Sequence, residues 1–139
     1  MENLFDLTGK TALVTGAGGL LGPKHAEALL EYGANVVLTD WHEDKVEKVS
    51  ADLNDKYGKG RTSFYCMDVT NKEMVQGVAD KLERVDILIN NAAKDPKPKK
   101  GDSLSPISRF EVMSETFWKD GIDAALNGTF ICSQVFSNK

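Results

Sequence analysis

The residues best suited to chemistry stand together near the start of the chain, in Thr15-Gly16-Ala17-Gly18-Gly19-Leu20-Leu21-Gly22. Gly16, Gly19 and Gly22 recur at every third position, a G-x-x-G-x-x-G arrangement. Glycines in such a loop have separate physical tasks. One permits a tight turn, one lets backbone approach a pyrophosphate, and one lets a helix pack against a strand. A helix opening at Leu20 and Leu21 would offer free N–H groups and its positive dipole end to phosphate oxygens. A β-branched side chain at Gly16 is expected to block that approach and leave the fold intact. Asp40 lies roughly 20 residues further on, where the dinucleotide fingerprint places a carboxylate that accepts from ribose hydroxyls. The same carboxylate repels a 2′-phosphate. No Arg or Lys stands between Gly16 and Gly22, so NAD is expected in preference to NADP. The plainer role for Asp40 is a helix cap.

Glycines alone suit any tight turn, so their meaning depends on the elements that hold them. Thr11-Ala12-Leu13-Val14-Thr15 reads as a buried strand directly before the loop. Asn35-Val36-Val37-Leu38-Thr39, Ser63-Phe64-Tyr65-Cys66-Met67 and Asp86-Ile87-Leu88-Ile89-Asn90 read likewise. Runs that are apolar on both faces suit a parallel sheet covered on both sides. Helix-period segments lie between them, at about 20–32, 43–57 and 71–84. Thr70 and Glu73 form an expected capping box for the third. Gly33 and Gly58 follow the first two, where left-handed caps would sit. Strand and helix alternate, which predicts an α/β, Rossmann-like doubly wound sheet of four parallel strands in order 3-2-1-4. The fourth strand would then be an open edge.

Residues 94–109 break this rhythm with prolines and lysines and read as a loop, either a lid or a solvated connector. A last helix is expected at about 114–136. Trp118, Ile122, Leu126 and Phe130 recur at i+4 along it and would form one buried stripe over the fourth strand.

The chain has 139 residues, enough for one domain with its own core, and the whole span 1–139 is expected to be a single nucleotide-binding domain. It is 41% hydrophobic and 27% charged, which argues against disorder. A net charge of -4 makes nucleic acid and anionic membranes poor partners. No apolar run reaches membrane-span length, and the acidic start carries no signal-peptide core. Cys66 and Cys132, far apart, read as free thiols in a reducing compartment, so a cytoplasmic location is expected. The two cysteines, His25 and His42 have no metal-ligand spacing, so no metal is expected. Gly9-Lys10-Thr11 has the tail of a P-loop, but Leu4 stands where its first glycine belongs and a strand follows where a helix should.

These motifs together resemble the short-chain dehydrogenase/reductase family over most of the chain. Leu7-Thr8-Gly9-Lys10-Thr11-Ala12-Leu13-Val14-Thr15-Gly16 is similar to the family's opening strand and turn. The glycines follow its T-G-x-x-G-x-x-G form, since Leu20 stands where the commoner form has glycine. Asp68-Val69 resembles the Asp-Val element, which implies an Asp68 carboxylate on the adenine amine and a Val69 N–H on the ring. Asn90-Asn91-Ala92-Ala93 resembles the Asn-Asn-Ala-Gly motif, which implies Asn90 and Ala92 beside the cofactor ribose. Trp41 would flank the adenine face or lie on a helix start.

The family's reaction needs a Tyr-x-x-x-Lys pair and an upstream Ser. The phenol passes a proton to or from the substrate oxygen, and the ammonium lowers a phenol pKa that otherwise sits near ~10. Tyr32, Tyr57 and Tyr65 are followed four residues on by Val36, Arg61 and Val69, so none begins such a pair. In Asp123-Ala124-Ala125-Leu126-Asn127-Gly128, similar to the family's Asn-Leu-x-Gly helix, Ala125 stands in place of the relay Asn. Asn127 is two residues on, the wrong way round the helix, and reads as a solvated polar residue.

The resemblance therefore implies the cofactor-binding N-terminal part of an NAD-dependent oxidoreductase acting on an alcohol or ketone. On this reading the chain is truncated before the catalytic segment, so no catalytic residue falls within it and a small-molecule substrate binds only in the complete protein. A non-catalytic dinucleotide-binding sensor or interaction module is the alternative. Self-association, or a homo-oligomer, is expected through the last helix or the open sheet edge. The 139-residue chain alone should not turn over carbonyls: NADH absorbance should stay flat against a carbonyl panel, whereas robust turnover would require a different acid in this half.

Overall fold

The computed structural model describes residues 4–94 and 109–139. Its strands are β1 (Thr11–Thr15), β2 (Asn35–Asp40), β3 (Thr62–Cys66) and β4 (Ile87–Ile89), all parallel, in order β3-β2-β1-β4. Helices α1 (Gly22–Glu31), α2 (Glu43–Tyr57) and α3 (Lys72–Ala79) form the crossovers. This is the doubly wound, Rossmann-like order expected.

Strand alternation divides the core in two. Ala12, Val14, Val36 and Leu38 face one layer and pack with Ala26 and Leu30 of α1 and Val46 and Leu53 of α2. Leu13 and Val37 face the other, with Val75 and Val78 of α3 and with Cys132, Val135 and Phe136. Burial pushes the Cys132 thiol up to about 11, so it serves as a small apolar filler. Cys66, by contrast, is exposed, at the end of β3.

Two features of the sequence reading are corrected. The third helix is capped by Asn71, whose side chain accepts from the Met74 N–H. Thr70 instead donates its hydroxyl to Asp68, so no Thr70–Glu73 capping box forms. α3 also stops at Ala79, short of residue 84.

The last helix differs more. It runs as α4 (Glu115–Ile122), a π turn (Asp123–Asn127) and α5 (Gly128–Phe136), with the Gly128 N–H reaching back to the Asp123 carbonyl. The i+4 residues expected to be buried are largely exposed instead. Trp118, Leu126 and Phe130 are 55%, 62% and 63% exposed. The buried face is Gly128, Cys132, Val135 and Phe136, packed with Leu88 of β4. Of the loop at 94–109, residues 95–108 lie outside the described ones.

β4 is short, and one carboxylate pins its start. Asp86 Oδ2 accepts the Thr11 N–H at 2.8 Å while the Asp86 N–H donates to the Thr11 carbonyl at 2.8 Å. Arg84 and Lys10 both reach Asp86 Oδ1. The Thr11 amide first, then the Arg84 guanidinium, hold the Asp86 pKa down from 3.8 to about 2. A depressed carboxylate pKa adds stability above the unfolded value, and this is lost as pH falls through the folded value. The urea midpoint should therefore drop between pH 3.8 and about 2, and Asp86→Asn should flatten that part of the profile. A variant profile as steep as the unaltered one would contradict this.

Candidate functional site

All the residues singled out from sequence lie at the C-terminal ends of the parallel strands, the edge where doubly wound sheets bind ligands. The loop leaves β1 through Gly16 at φ +63°. An added Cβ there would lie 2.8 Å from Ala92 Cα and 3.2 Å from Asn91 Nδ2. Gly16 is thus glycine because of its left-handed turn and the chain following β4. A side chain at Gly16 would therefore press on this backbone as well as on the expected pyrophosphate approach. At Gly22 an added Cβ would sit 2.5 Å from Ala17 Cα, so this glycine lets α1 close onto the loop. At Gly19 it would meet only the Gly16 carbonyl, at 3.2 Å, so this is the most open backbone of the three.

The loop amides fall into two groups. Ala17 N–H donates to the Thr39 carbonyl at 2.9 Å, Gly18 N–H to Asp40 Oδ2 at 2.9 Å, and Gly19 N–H back to the Gly16 carbonyl at 3.1 Å. Among the described residues, the amides of Leu20, Leu21 and Gly22 have no partner. α1 begins there with no side-chain cap and no acidic residue in its first turn. Three consecutive free N–H groups on an unneutralised helix N-terminus form an anion cradle. The Leu20 and Leu21 residues that carry two of them are 82% and 59% exposed.

Asp40 ends β2 with only 7% of its surface exposed. Oδ1 accepts the His42 N–H at 2.9 Å, in addition to the Gly18 bond. Trp41 is 61% exposed, its ring edge-on to His42 with centroids 4.8 Å apart. At the end of β3, Asp68 Oδ1 accepts from the N–H and the hydroxyl of Thr70. Val69 is buried, and its N–H has no partner among the described residues.

Beyond β4 the two asparagines part. Asn90 turns to α5 and donates to Ser133 Oγ at 3.2 Å. Asn91 turns to the loop and donates from Nδ2 to the carbonyls of Thr15 at 2.9 Å and Gly16 at 3.1 Å. Thr15 Oγ1 accepts the N–H groups of both Asn91 and Ala92 at 3.0 Å.

The structure thus brings together Gly16, Gly19, Gly22, Asp40 and Ala92, and sets Trp41, Asp68, Val69 and Asn90 on the same strand-end edge. Sequence reasoning missed Thr15, Gly18 and Asn91 as parts of the frame. Their one sequence signal is a hydroxyl closing an apolar strand and an extra glycine beside the spaced three. Gly128 was also missed. Its absent Cβ would lie 2.6 Å from Val69 Cγ2, so it lets α5 press against the β3 end. Lys45, on α2, comes beside the loop: a Cβ on Gly18 would be 2.9 Å from its Cβ. Asn127 is exposed and donates to Asp123 Oδ1 at 2.6 Å, while Thr129 Oγ1 holds the Ala125 carbonyl at 2.7 Å.

The family model described as short chain dehydrogenase matches residues 10–139, and the chain belongs to this family. An NAD-dependent glycerol dehydrogenase from Listeria innocua is 32% identical over 97% of this chain and 49% of its own length. The chain spans about half the length of the curated relatives it matches. Among solved structures, NAD+-bound xylitol dehydrogenase superposes with TM-score 0.78 at 27% identity, over 95% of this chain and 48% of that one. A gluconate 5-dehydrogenase from Burkholderia cenocepacia, in complex with NADP and tartrate, superposes with TM-score 0.78 at 27% identity, over 96% and 49%.

The loop frame is open to a direct stability test. Gly16→Ala should cost about 1–2 kcal/mol for the left-handed turn, with a further loss from the shift of Ala92. Thr15→Val strips the acceptor from two amides and should cost about 1–3 kcal/mol for each. Urea midpoints measure both, and an unchanged midpoint for either would refute the frame.

Proposed function

We propose that this chain is the NAD(H)-binding part of a short-chain oxidoreductase. The complete enzyme would carry its substrate as an alcohol or ketone, and the span 1–139 would form one nucleotide-binding domain. The observation that carries the reading is the run of free amides at Leu20, Leu21 and Gly22, set on an uncapped helix start. The residues fit the cofactor. The pyrophosphate would lie on those amides, against the open backbone of Gly19. The adenosine ribose would meet Asp40, and the adenine would lie between Trp41 and the Asp68–Val69 turn. Asn90 and Ala92 would border the nicotinamide ribose. When bound, the nicotinamide supplies hydride transfer.

The chain's own residues bind and orient. No tyrosine of this chain is followed four residues on by lysine, so proton transfer to a substrate oxygen is assigned to residues outside it. Self-association belongs to the same reading. It is supported by the exposed Trp118, Leu126 and Phe130 and by the side of β4 that pairs with no other strand among the described residues. The two free cysteines support a reducing, cytoplasmic setting. No helix among the described residues is long and apolar enough to cross a membrane.

Asp40 favours NAD over NADP, because a 2′-phosphate would be set against a carboxylate. Lys45, whose Cβ stands beside Gly18, is a cation that would work the other way. Titration calorimetry should give tighter binding of NAD(H) than of NADP(H). Equal affinities would overturn the preference, and binding of neither would overturn the function.

A further inference from the structure

Asp40 faces inward as much as outward. Its carboxylate is nearly buried, and each oxygen already accepts a backbone N–H: Oδ2 from Gly18 and Oδ1 from His42, both at 2.9 Å. A carboxylate on amide donors makes a charge-assisted bond, stronger than one between neutral groups. The Ala17 amide is held by the neighbouring Thr39 carbonyl. Two consecutive loop amides, 17 and 18, therefore hang from the end of β2. After Gly19 turns back on Gly16, the three free amides begin.

Gly18 makes this tether possible. A Cβ there would sit 3.2 Å from Asp40 Cγ and 2.9 Å from Lys45 Cβ, so a side chain would force the carboxylate or α2 away. Unlike Gly16, Gly18 has no positive φ to explain its type. What its type accommodates is the close approach of Asp40 and Lys45.

We propose that Asp40 is a positioning residue for the pyrophosphate cradle. Through the Gly18 amide it holds the loop so that the Leu20, Leu21 and Gly22 N–H groups are presented together. This role is separate from any contact with ribose, though it rests on the cofactor reading above. A mutation at Asp40 then acts at two ends of the ligand. It removes the ribose acceptor, and it lets the loop spend less time in the binding arrangement, which weakens affinity in proportion to the lost population.

The test separates the two effects with ADP and 2′,3′-dideoxy-ADP, which has no ribose hydroxyl for Asp40 to accept from. Calorimetry on the unaltered chain, Asp40→Asn and Asp40→Ala should show dideoxy-ADP weakened about three- to tenfold by the alanine variant. Asn, which keeps one acceptor oxygen, should lose less. Far-UV circular dichroism identifies any variant that fails to fold, and Asp40→Asn carries the comparison if alanine does. Hydrogen exchange without ligand gives an independent reading, in which the Gly18 amide should be protected in the unaltered chain and exposed in Asp40→Ala. Dideoxy-ADP affinity unchanged in Asp40→Ala, or Gly18 protection independent of residue 40, overturns the proposal. If the unaltered chain binds neither nucleotide while Gly18 protection still depends on Asp40, the cofactor reading falls and the cradle with it, and the tether alone stands.

Discussion

A single buried hydroxyl joins the two halves of this sheet edge. Thr15 Oγ1 accepts the amides of Asn91 and Ala92, and Asn91 returns its side-chain N–H groups to the carbonyls of Thr15 and Gly16. Thr15 is 1% exposed, so these bonds form away from water, where unpaired groups would be costly. They tie the end of β1 to the chain leaving β4. That tie fixes where the glycine loop starts, and it demands a residue without Cβ at Gly16, where Ala92 comes closest. The start of the loop and the Asn91–Ala92 segment take their positions from this junction.

The loop then divides its amides between holding and offering. Those at 17 and 18 are bound to the β2 end, that at 19 closes the turn, and those at 20–22 have no partner among the described residues. A polar group left unpaired costs little where water or an anion can reach it, and the exposed Leu20 and Leu21 stand at such a place. Local satisfaction and anion binding are thus consecutive segments of one short stretch. The charge that would oppose binding, an acid in the first helical turn, is absent.

The opposite face depends on the π turn at Asp123–Asn127. It lets Gly128 reach the β3 end beside Val69 and turns Cys132, Val135 and Phe136 into the core. Trp118, Leu126 and Phe130 stay exposed. A periodic stripe shows which residues share a side of a helix, and the packing of the layers decides whether that side faces the core.

Element order, strand order and family were legible in the chain itself. Short apolar runs, helix periods and the glycine triplet are local patterns, and parallel crossover rules leave few topologies for them. The Asp40 position was legible for the same reason, since strand and loop lengths set its spacing. The tertiary structure decided what distance along the chain cannot show. It gave Gly16 its neighbour across the sheet, and it brought Asp40 and Lys45 to Gly18. It sent Asn90 and Asn91 to different partners and chose the buried face of the last helix. Each of these depends on atoms that approach within a few ångströms while lying tens of residues apart. Such approaches are set by how the layers close on one another, which no local periodicity encodes.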